Sequence, residues 1–338
     1  MITTRQNFEL AQVTTFAIPA KCSCYMEYDR PEDIPFILST LRHGVELYHI
    51  GGGSNLLFTS DFEGVIAHSA IKGIEIIDEN PASVTVRVGA GVVMDDFIRW
   101  ACNRELWGME NLSGIPGEVG ASAVQNVGAY GAEAADTIVE VNAYDRDRDE
   151  FVTLTNQECR YGYRDSIFKH PDMHGCYIIH SVVYRLSVTP KPNIGYPALR
   201  ERFDTLPSSP HQVRDAIIAV RDSKLPDPSK VPSAGSFFKN PVINDNQLTH
   251  IIGVETNDSF PHYRVDDGWK IPAAWLIDRC GWKGYREGNV AVWHLQPLVI
   301  VNPERRATAS EVLDLEQRII QSVRERYGVT LVPEVEHI

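Results

Sequence analysis

Two glycine-rich segments are the first places where residue type and spacing in this chain could do chemistry. Leu47 to Ile50 reads as a short strand and runs directly into Gly51-Gly52-Gly53-Ser54-Asn55-Leu56-Leu57. Glycines followed by Ser and Asn after a strand form a loop whose main-chain N–H groups can converge on an anion. The second segment, 114–131, reads GIPGEVGASAVQNVGAYG and carries little charge. Its glycines and alanines would let a flat ligand come close to the backbone.

Other chemical signatures fail on inspection. Gly89-Ala90-Gly91-Val92-Val93-Met94 follows a strand, but Met94 stands where a dinucleotide fingerprint needs its third glycine. No G-x-x-x-x-G-K, G-x-S-x-G, C-x-x-C or H-E-x-x-H occurs, so a P-loop, a nucleophile elbow and a metal site all lack sequence support. Metal is expected to play no part.

The elements that must position these loops alternate between strand and helix. Strands are expected over 21–28, 74–77, 83–88, 138–144, 151–154 and 176–189. Ile34, Ile37, Leu38 and Leu41 give a first helix its apolar face, and Asp95 and Asp96 open a second through Phe97, Ile98 and Trp100. Residues 190–212 are proline-rich and aperiodic and read as a linker or mobile loop. Helical spacing returns at 211–220, at 272–279 and at 308–327, where Val312, Leu315, Ile319 and Val323 recur. A strand is expected at 298–301, and another at 330–335 to end the chain.

The 338 residues suffice for two or three domains, with 43% hydrophobic and 23% charged residues, as in ordinary globular proteins. No apolar run approaches membrane-spanning length, and the first residues show no secretory signal. The net charge of −13 disfavours nucleic acid as a partner. Six cysteines, Cys22 and Cys24 in a C-x-C pair and four scattered, fit reduced thiols in a cytoplasmic protein.

Five motifs then occur in order: GGGSNLL at 51–57, the segment 114–131, YGYRDSIFK at 161–169, AGSFFKNP at 234–241 and PEV at 333–335. Together, and over nearly the whole chain, they resemble the UDP-N-acetylenolpyruvoylglucosamine reductases (MurB family) of peptidoglycan precursor synthesis. The tyrosine-bearing insertion near Tyr196 is similar to the type I branch. The resemblance implies an α+β architecture: an FAD-binding fold of the vanillyl-alcohol oxidase (PCMH) type in two subdomains, plus a third α+β substrate domain. The expected boundaries are 1–70, 71–212 and 213–327, with a terminal strand, about 328–338, returning to the first subdomain.

The implied reaction is the NADPH-dependent reduction of enolpyruvyl-UDP-N-acetylglucosamine to UDP-N-acetylmuramate. Hydride passes through FAD to the terminal vinyl carbon C3, and a proton must then reach C2. Gly51, Gly52, Gly53, Ser54 and Asn55 would offer donors to the pyrophosphate. Ile115, Pro116 and Val124 would pack on the cofactor, and Gly120, Ala121 and Gln125 would let it approach; Leu56 and Gly128 complete that set. No His or Cys lies in the first loop to tether a flavin, so the FAD is expected to be noncovalent.

The resemblance also implies three catalytic residues. Arg164 would face the substrate carboxylate with a planar, permanently charged fork. Ser236 would give the proton to C2. Glu334 would stabilise the same charge, which a carboxyl group can do when it carries a proton or is coupled to Arg164. Tyr130, Tyr196, Lys224, Asn240 and Arg286 would contact the UDP-sugar. Relatives can carry a neutral amide at the Arg286 position, so its role departs from the pattern. The expected partners are the UDP-sugar and NADPH, with no nucleic acid and no membrane, for a monomer. The competing functions are an FAD-dependent oxidase of the same fold and a non-catalytic nucleotide-sugar binding protein.

Overall fold

The computed structural model describes residues 1–41, 44–255 and 260–338. The chain divides into two compact units, each built from non-contiguous segments. Unit 1 holds Met1–Phe8, Cys22–Gly52 and Glu63–Asp222; unit 2 holds Glu9–Lys21, Gly53–Phe62 and Ser223–Ile338.

In unit 1 a four-stranded sheet runs in the order Thr3–Glu9, Lys21–Tyr28, Phe62–Ser69, Leu47–Ile50, with the last two strands parallel. Residues Glu9, Lys21 and Phe62 at the ends of these strands belong to unit 2. A second, antiparallel sheet orders Glu150–Thr155, Ile138–Asp145, Tyr177–Ser187, Ser83–Gly89 and Ile74–Glu79. Val86, Val88, Val141, Val182 and Leu186 form its fully buried face and pack on Phe97, Ile98 and Ala101 of the helix Met94–Cys102. Asp95 and Asp96 in the first turn of that helix complement its dipole.

Asp95 has a second task. Arg214, from the helix Pro210–Asp222, holds it in a bidentate pair at 2.6 and 2.7 Å. Burial opposes ionisation of Asp95, but the Arg214 fork and the Gly114 N–H outweigh it and keep its carboxyl below the usual range. The helix Pro210–Asp222 is therefore an integral part of unit 1. The expected boundary at 213 falls inside it, and compactness places the division after Asp222.

Unit 2 carries a sheet ordered Ser233–Ser236, Val299–Val301, Val290–Val292, Arg286–Glu287, and a smaller one of Val242–Ile243, Gly268–Lys270 and Tyr263–Val265. Its core gathers around the helix Ala309–Tyr327, which buries Val312, Leu315, Ile319, Val323 and Tyr327 along one face. Thr308 and Glu311 close a reciprocal capping box at its start, and Gly328, left-handed at φ 66°, ends it.

Two expectations are corrected here. Residues 330–335 do not form a strand. Only Glu336–His337 does, pairing parallel with Leu56–Leu57, while Pro333 makes an isolated bridge to Phe238. Proline lacks the N–H that a longer ladder would need. The 190–212 segment is pinned rather than loose. Asn193 donates to Gly131 at 2.8 Å, Asn111 donates to the Asn193 carbonyl at 2.8 Å, and Pro197–Arg200 forms a helical turn.

Candidate active site

Within unit 1, Gly51 and Gly52 of the first glycine-rich segment meet the second. A Cβ placed on Gly51 would lie 2.7 Å from the Ala121 Cβ, and one on Gly52 would lie 3.4 Å from the Gly117 Cα. The second segment is fixed from behind: Met94 N–H donates to Gly117, Val119 N–H to Val92 and Gly120 N–H to Ala90. Gly120 has no room for a side chain, since its Cβ would stand 2.9 Å from that of Ala90. Residues 119–125 form a short helix, where the glycines had suggested only close ligand approach.

One atom of that helix supports the expected ligand. The Gln125 amide nitrogen is buried and has no hydrogen-bond partner among the described residues. Its oxygen accepts from the Lys169 ammonium at 2.6 Å. A buried donor left unsatisfied is costly unless a ligand acceptor meets it. A flavin ring, which carries several acceptors, fits that donor. Ile115 and Val124 are partly buried against the core, while Pro116 is exposed beside them.

The YGYRDSIFK motif is stitched to the end of the same helix. Ser166 Oγ donates to the Val124 carbonyl at 2.6 Å, and Asn126 donates to the Gly162 carbonyl at 2.8 Å. Arg164 has a left-handed backbone at φ 53°, a conformation uncommon outside glycine. Its guanidinium donates to the Gly128 carbonyl. A Cβ on Gly128 would lie 2.9 Å from Arg164 Nη1, so this glycine seats the arginine. Tyr130 is also left-handed, at φ 51°, and its ring stands edge-on to Tyr196 at 5.2 Å. Burial pushes the Tyr130 phenol up, against the pull of Arg221. Tyr196 is 45% exposed.

Unit 2 brings the end of the strand Ser233–Ser236 beside the irregular segment that carries Glu334. Glu334 N–H donates to the Phe237 carbonyl at 2.8 Å, and Lys239 N–H donates to Val332 at 2.9 Å. Ser236 itself is exposed, at the end of a strand whose register shifts against Val299–Val301, with the buried Phe237 and Phe238 next to it. Gly235, at φ 75°, has open space where a Cβ would be. Gly53, at φ 60°, does not: a Cβ there would strike the Val13 carbonyl. Ser54 sits partly buried in the turn, and Leu56 pairs with Glu336.

Asn55 is placed differently from expectation. Its side-chain amide donates to the Glu334 carbonyl, so it holds the glutamate segment. Asn240 likewise uses its amide oxygen on the Ala273 N–H at the start of a helix. Lys224 is exposed, and its carbonyl accepts from Trp293. Arg286 is engaged with Glu304 at 2.5 Å in a half-exposed ion pair, which accounts for it without a ligand.

Sequence reasoning passed over two groups. Lys169 lay within a quoted motif, yet nothing in the sequence showed that its ammonium reaches Gln125. Glu118 is buried behind the first glycine loop and meets His68 Nε2 at 2.9 Å, while His68 Nδ1 meets Glu27 at 3.1 Å. Long-range pairs of this kind leave no local signal.

Comparison with known proteins adds the following. Residues 227–338 match the family of the UDP-N-acetylenolpyruvoylglucosamine reductase C-terminal domain, and residues 23–154 match the FAD binding domain family. A UDP-N-acetylenolpyruvoylglucosamine reductase of Bacteroides fragilis strain YCH46 is 42% identical over 335 residues, covering 98% of this chain and 99% of the relative. One from Chromobacterium violaceum is 40% identical, covering 98% of this chain and 97% of that protein. The crystal structure of UDP-N-acetylenolpyruvylglucosamine reductase (MurB) from Thermus caldophilus aligns with a TM-score of 0.69 at 22% identity, over 100% of this chain and 98% of its own.

Proposed function

The chain belongs to the UDP-N-acetylenolpyruvoylglucosamine reductases, FAD-dependent oxidoreductases of peptidoglycan precursor synthesis, and from this we propose how its residues divide the work. Bound FAD supplies the hydride carrier between NADPH and the enolpyruvyl ether. The chain's own residues must hold that cofactor, bind the UDP-sugar, stabilise the charge that develops on the substrate and deliver one proton.

Gly51, Gly52, Gly120, Ala121 and Gln125 hold the cofactor, noncovalently, since residues 51–57 contain no tethering His or Cys. Arg164 faces the substrate carboxylate. Charge arriving at C2 spreads into that carboxylate, where a preorganised guanidinium stabilises it. Ser236 donates the proton to C2, and Glu334 supports the same charge. Tyr130, Tyr196 and Lys224 bind the UDP-sugar; Asn240 and Arg286 contribute less, because partners within the chain already engage them.

The observation that carries this reading is the pairing of Phe237 with Glu334 at 2.8 Å, which sets the Glu334 backbone beside the residue after Ser236. Ser236→Ala tests it. Cofactor reduction by NADPH needs no proton at C2 and should proceed at the wild-type rate. Transfer to the UDP-sugar should slow by about 10²–10⁴-fold, the usual cost of a lost general acid. Stopped-flow measurement of the two half-reactions separates them. Equal slowing of both would make Ser236 a structural residue.

No helix among the described residues is long and apolar enough to cross a membrane. A cytoplasmic monomer is the simplest setting for a reaction between NADPH and a UDP-sugar. Light scattering of the purified holoenzyme tests the monomer.

A further inference from the structure

We infer that Lys169 is the positioning residue that fixes both the flavin-facing amide of Gln125 and the main chain of Arg164. This rests on the roles proposed above for those two residues.

The argument begins with donors and acceptors. Lys169 Nζ lies 2.6 Å from Gln125 Oε1 and 3.1 Å from the Arg164 carbonyl oxygen. An ammonium has three N–H donors and no acceptor. It therefore dictates which way the Gln125 amide points, because a flipped amide would set NH₂ against NH₃⁺. With the oxygen held by Lys169, the nitrogen faces away. That nitrogen is one of three buried side-chain atoms with no hydrogen-bond partner among the described residues. Ligand binding gains when such a donor is already aimed, since no rotamer must then be frozen.

The same ammonium acts on Arg164. A non-glycine residue at φ 53° persists only where its surroundings hold it. The Arg164 N–H and C=O groups flank a strained position, and Lys169 takes the carbonyl. Neighbouring bonds from Ser166 to Val124 and from Asn126 to Gly162 keep the two segments in register, but neither touches the Gln125 side chain. Lys169 is thus the link between the group that meets the cofactor and the group that meets the substrate.

The test is a double-mutant cycle on FAD affinity, read from flavin fluorescence as FAD is titrated into apoprotein. Gln125→Leu alone should weaken FAD binding about ten-fold, and Lys169→Met alone by a similar factor. The combined variant should be no weaker than Gln125→Leu, because Lys169 acts through Gln125. Lys169→Gln, which retains a neutral donor, should recover part of the loss. In reconstituted holoenzyme saturated with FAD, Lys169→Met should also slow the step that consumes the UDP-sugar. If Lys169→Met does not fold by near-ultraviolet circular dichroism, Lys169→Gln takes its place in the cycle.

Additive losses would overturn the inference, as would Gln125→Leu weakening FAD while both Lys169 variants bind it normally. Unchanged FAD affinity in Gln125→Leu would instead remove Gln125 from the cofactor site, a separate failure of the reading beneath it.

Discussion

The side-chain amide of Asn55 donates to the main-chain carbonyl of Glu334 at 3.0 Å, across 279 residues of sequence. The Asn55 carbonyl accepts in turn from the Glu336 N–H at 2.9 Å. Glu334 is thus bracketed by Asn55 on one side and Phe237 on the other. Asn55, expected to offer donors to the cofactor, thus spends its side-chain amide on the Glu334 segment. Asn55→Ala should lower turnover of the UDP-sugar about three- to ten-fold, corresponding to one hydrogen bond of roughly 0.5–1.5 kcal/mol. FAD affinity should change by less than a factor of about three on the same scale. Titration of apoprotein with FAD checks this: a large loss there would return Asn55 to the cofactor loop.

Gly128→Ala should separate stability from catalysis. The added methyl would meet Arg164 Nη1 at 2.9 Å, the far end of a flexible side chain that can move aside, and would press on the Ala132 carbonyl oxygen and the Glu133 Cγ, each at 3.0 Å. The backbone must give by a few tenths of an ångström, so the melting temperature should fall by several degrees while the protein still folds. The guanidinium cannot move without leaving its place, and a displacement near 1 Å can cost on the order of 10²-fold in rate. Wild-type turnover in Gly128→Ala would show that Arg164 does not need this seat.

His68 gives a pH dependence. Burial alone would lower its pKa, but hydrogen bonds and charge from Glu118, then Glu27, reverse this and hold it above the ordinary histidine value. Lys72, 3.8 Å from Glu118, is the facing cation, and Tyr25 stacks on the ring. The nearby His49 is held neutral by burial, its pKa pushed down to about 3. A raised folded pKa gives stability that is fully present below the unfolded value of ~6.5 and lost as pH rises through the folded one. Urea unfolding should show wild type most favoured over His68→Gln near pH 6, with the gap closing by pH 9. A gap that widens with pH would contradict the arrangement.

Tyr196→Phe keeps the edge-on contact with Tyr130 and removes only a hydroxyl from a half-exposed ring. If that hydroxyl binds the diphosphate, the UDP-sugar KM should rise while kcat changes little. A hydrogen bond to a charged group is worth about 1.5–3 kcal/mol, or roughly 10- to 150-fold. Steady-state kinetics with an unchanged KM would take Tyr196 out of the substrate site.

What the sequence revealed was whatever repeats at short range. The strand into Gly51, the valines of 83–88 and the apolar face of 309–327 each follow a local period, and each element formed where expected. The helix Val119–Gln125 was hidden because two glycines and a preceding proline mimic a loop, while the hydrogen bonds that fold it come from residues 90–94. Gly128 is expected at the cofactor from the resemblance alone, and nothing in the sequence shows that Arg164 Nη1 would lie 2.9 Å from a Cβ placed there. Arg164 was legible as a charge within a motif. Its left-handed backbone was not, since arginine has no propensity that announces it.

The pairing of Leu56–Leu57 with Glu336–His337 has a consequence for how the protein is made. Residues 53–62 are translated long before their strand partner, Glu336–His337. Until then Leu57, fully buried in the finished core, has no lasting place to go. Unit 1 gathers most of its partners from residues before 223, so it can begin to fold while the ribosome is still working. Unit 2 must wait, and a closure that spans so much chain is slow because the entropy of the loop is lost before any contact is gained. The Asn55 contacts that hold Glu334 are completed by that same late closure, so the Glu334 segment takes its place only when Glu336–His337 pairs with Leu56–Leu57.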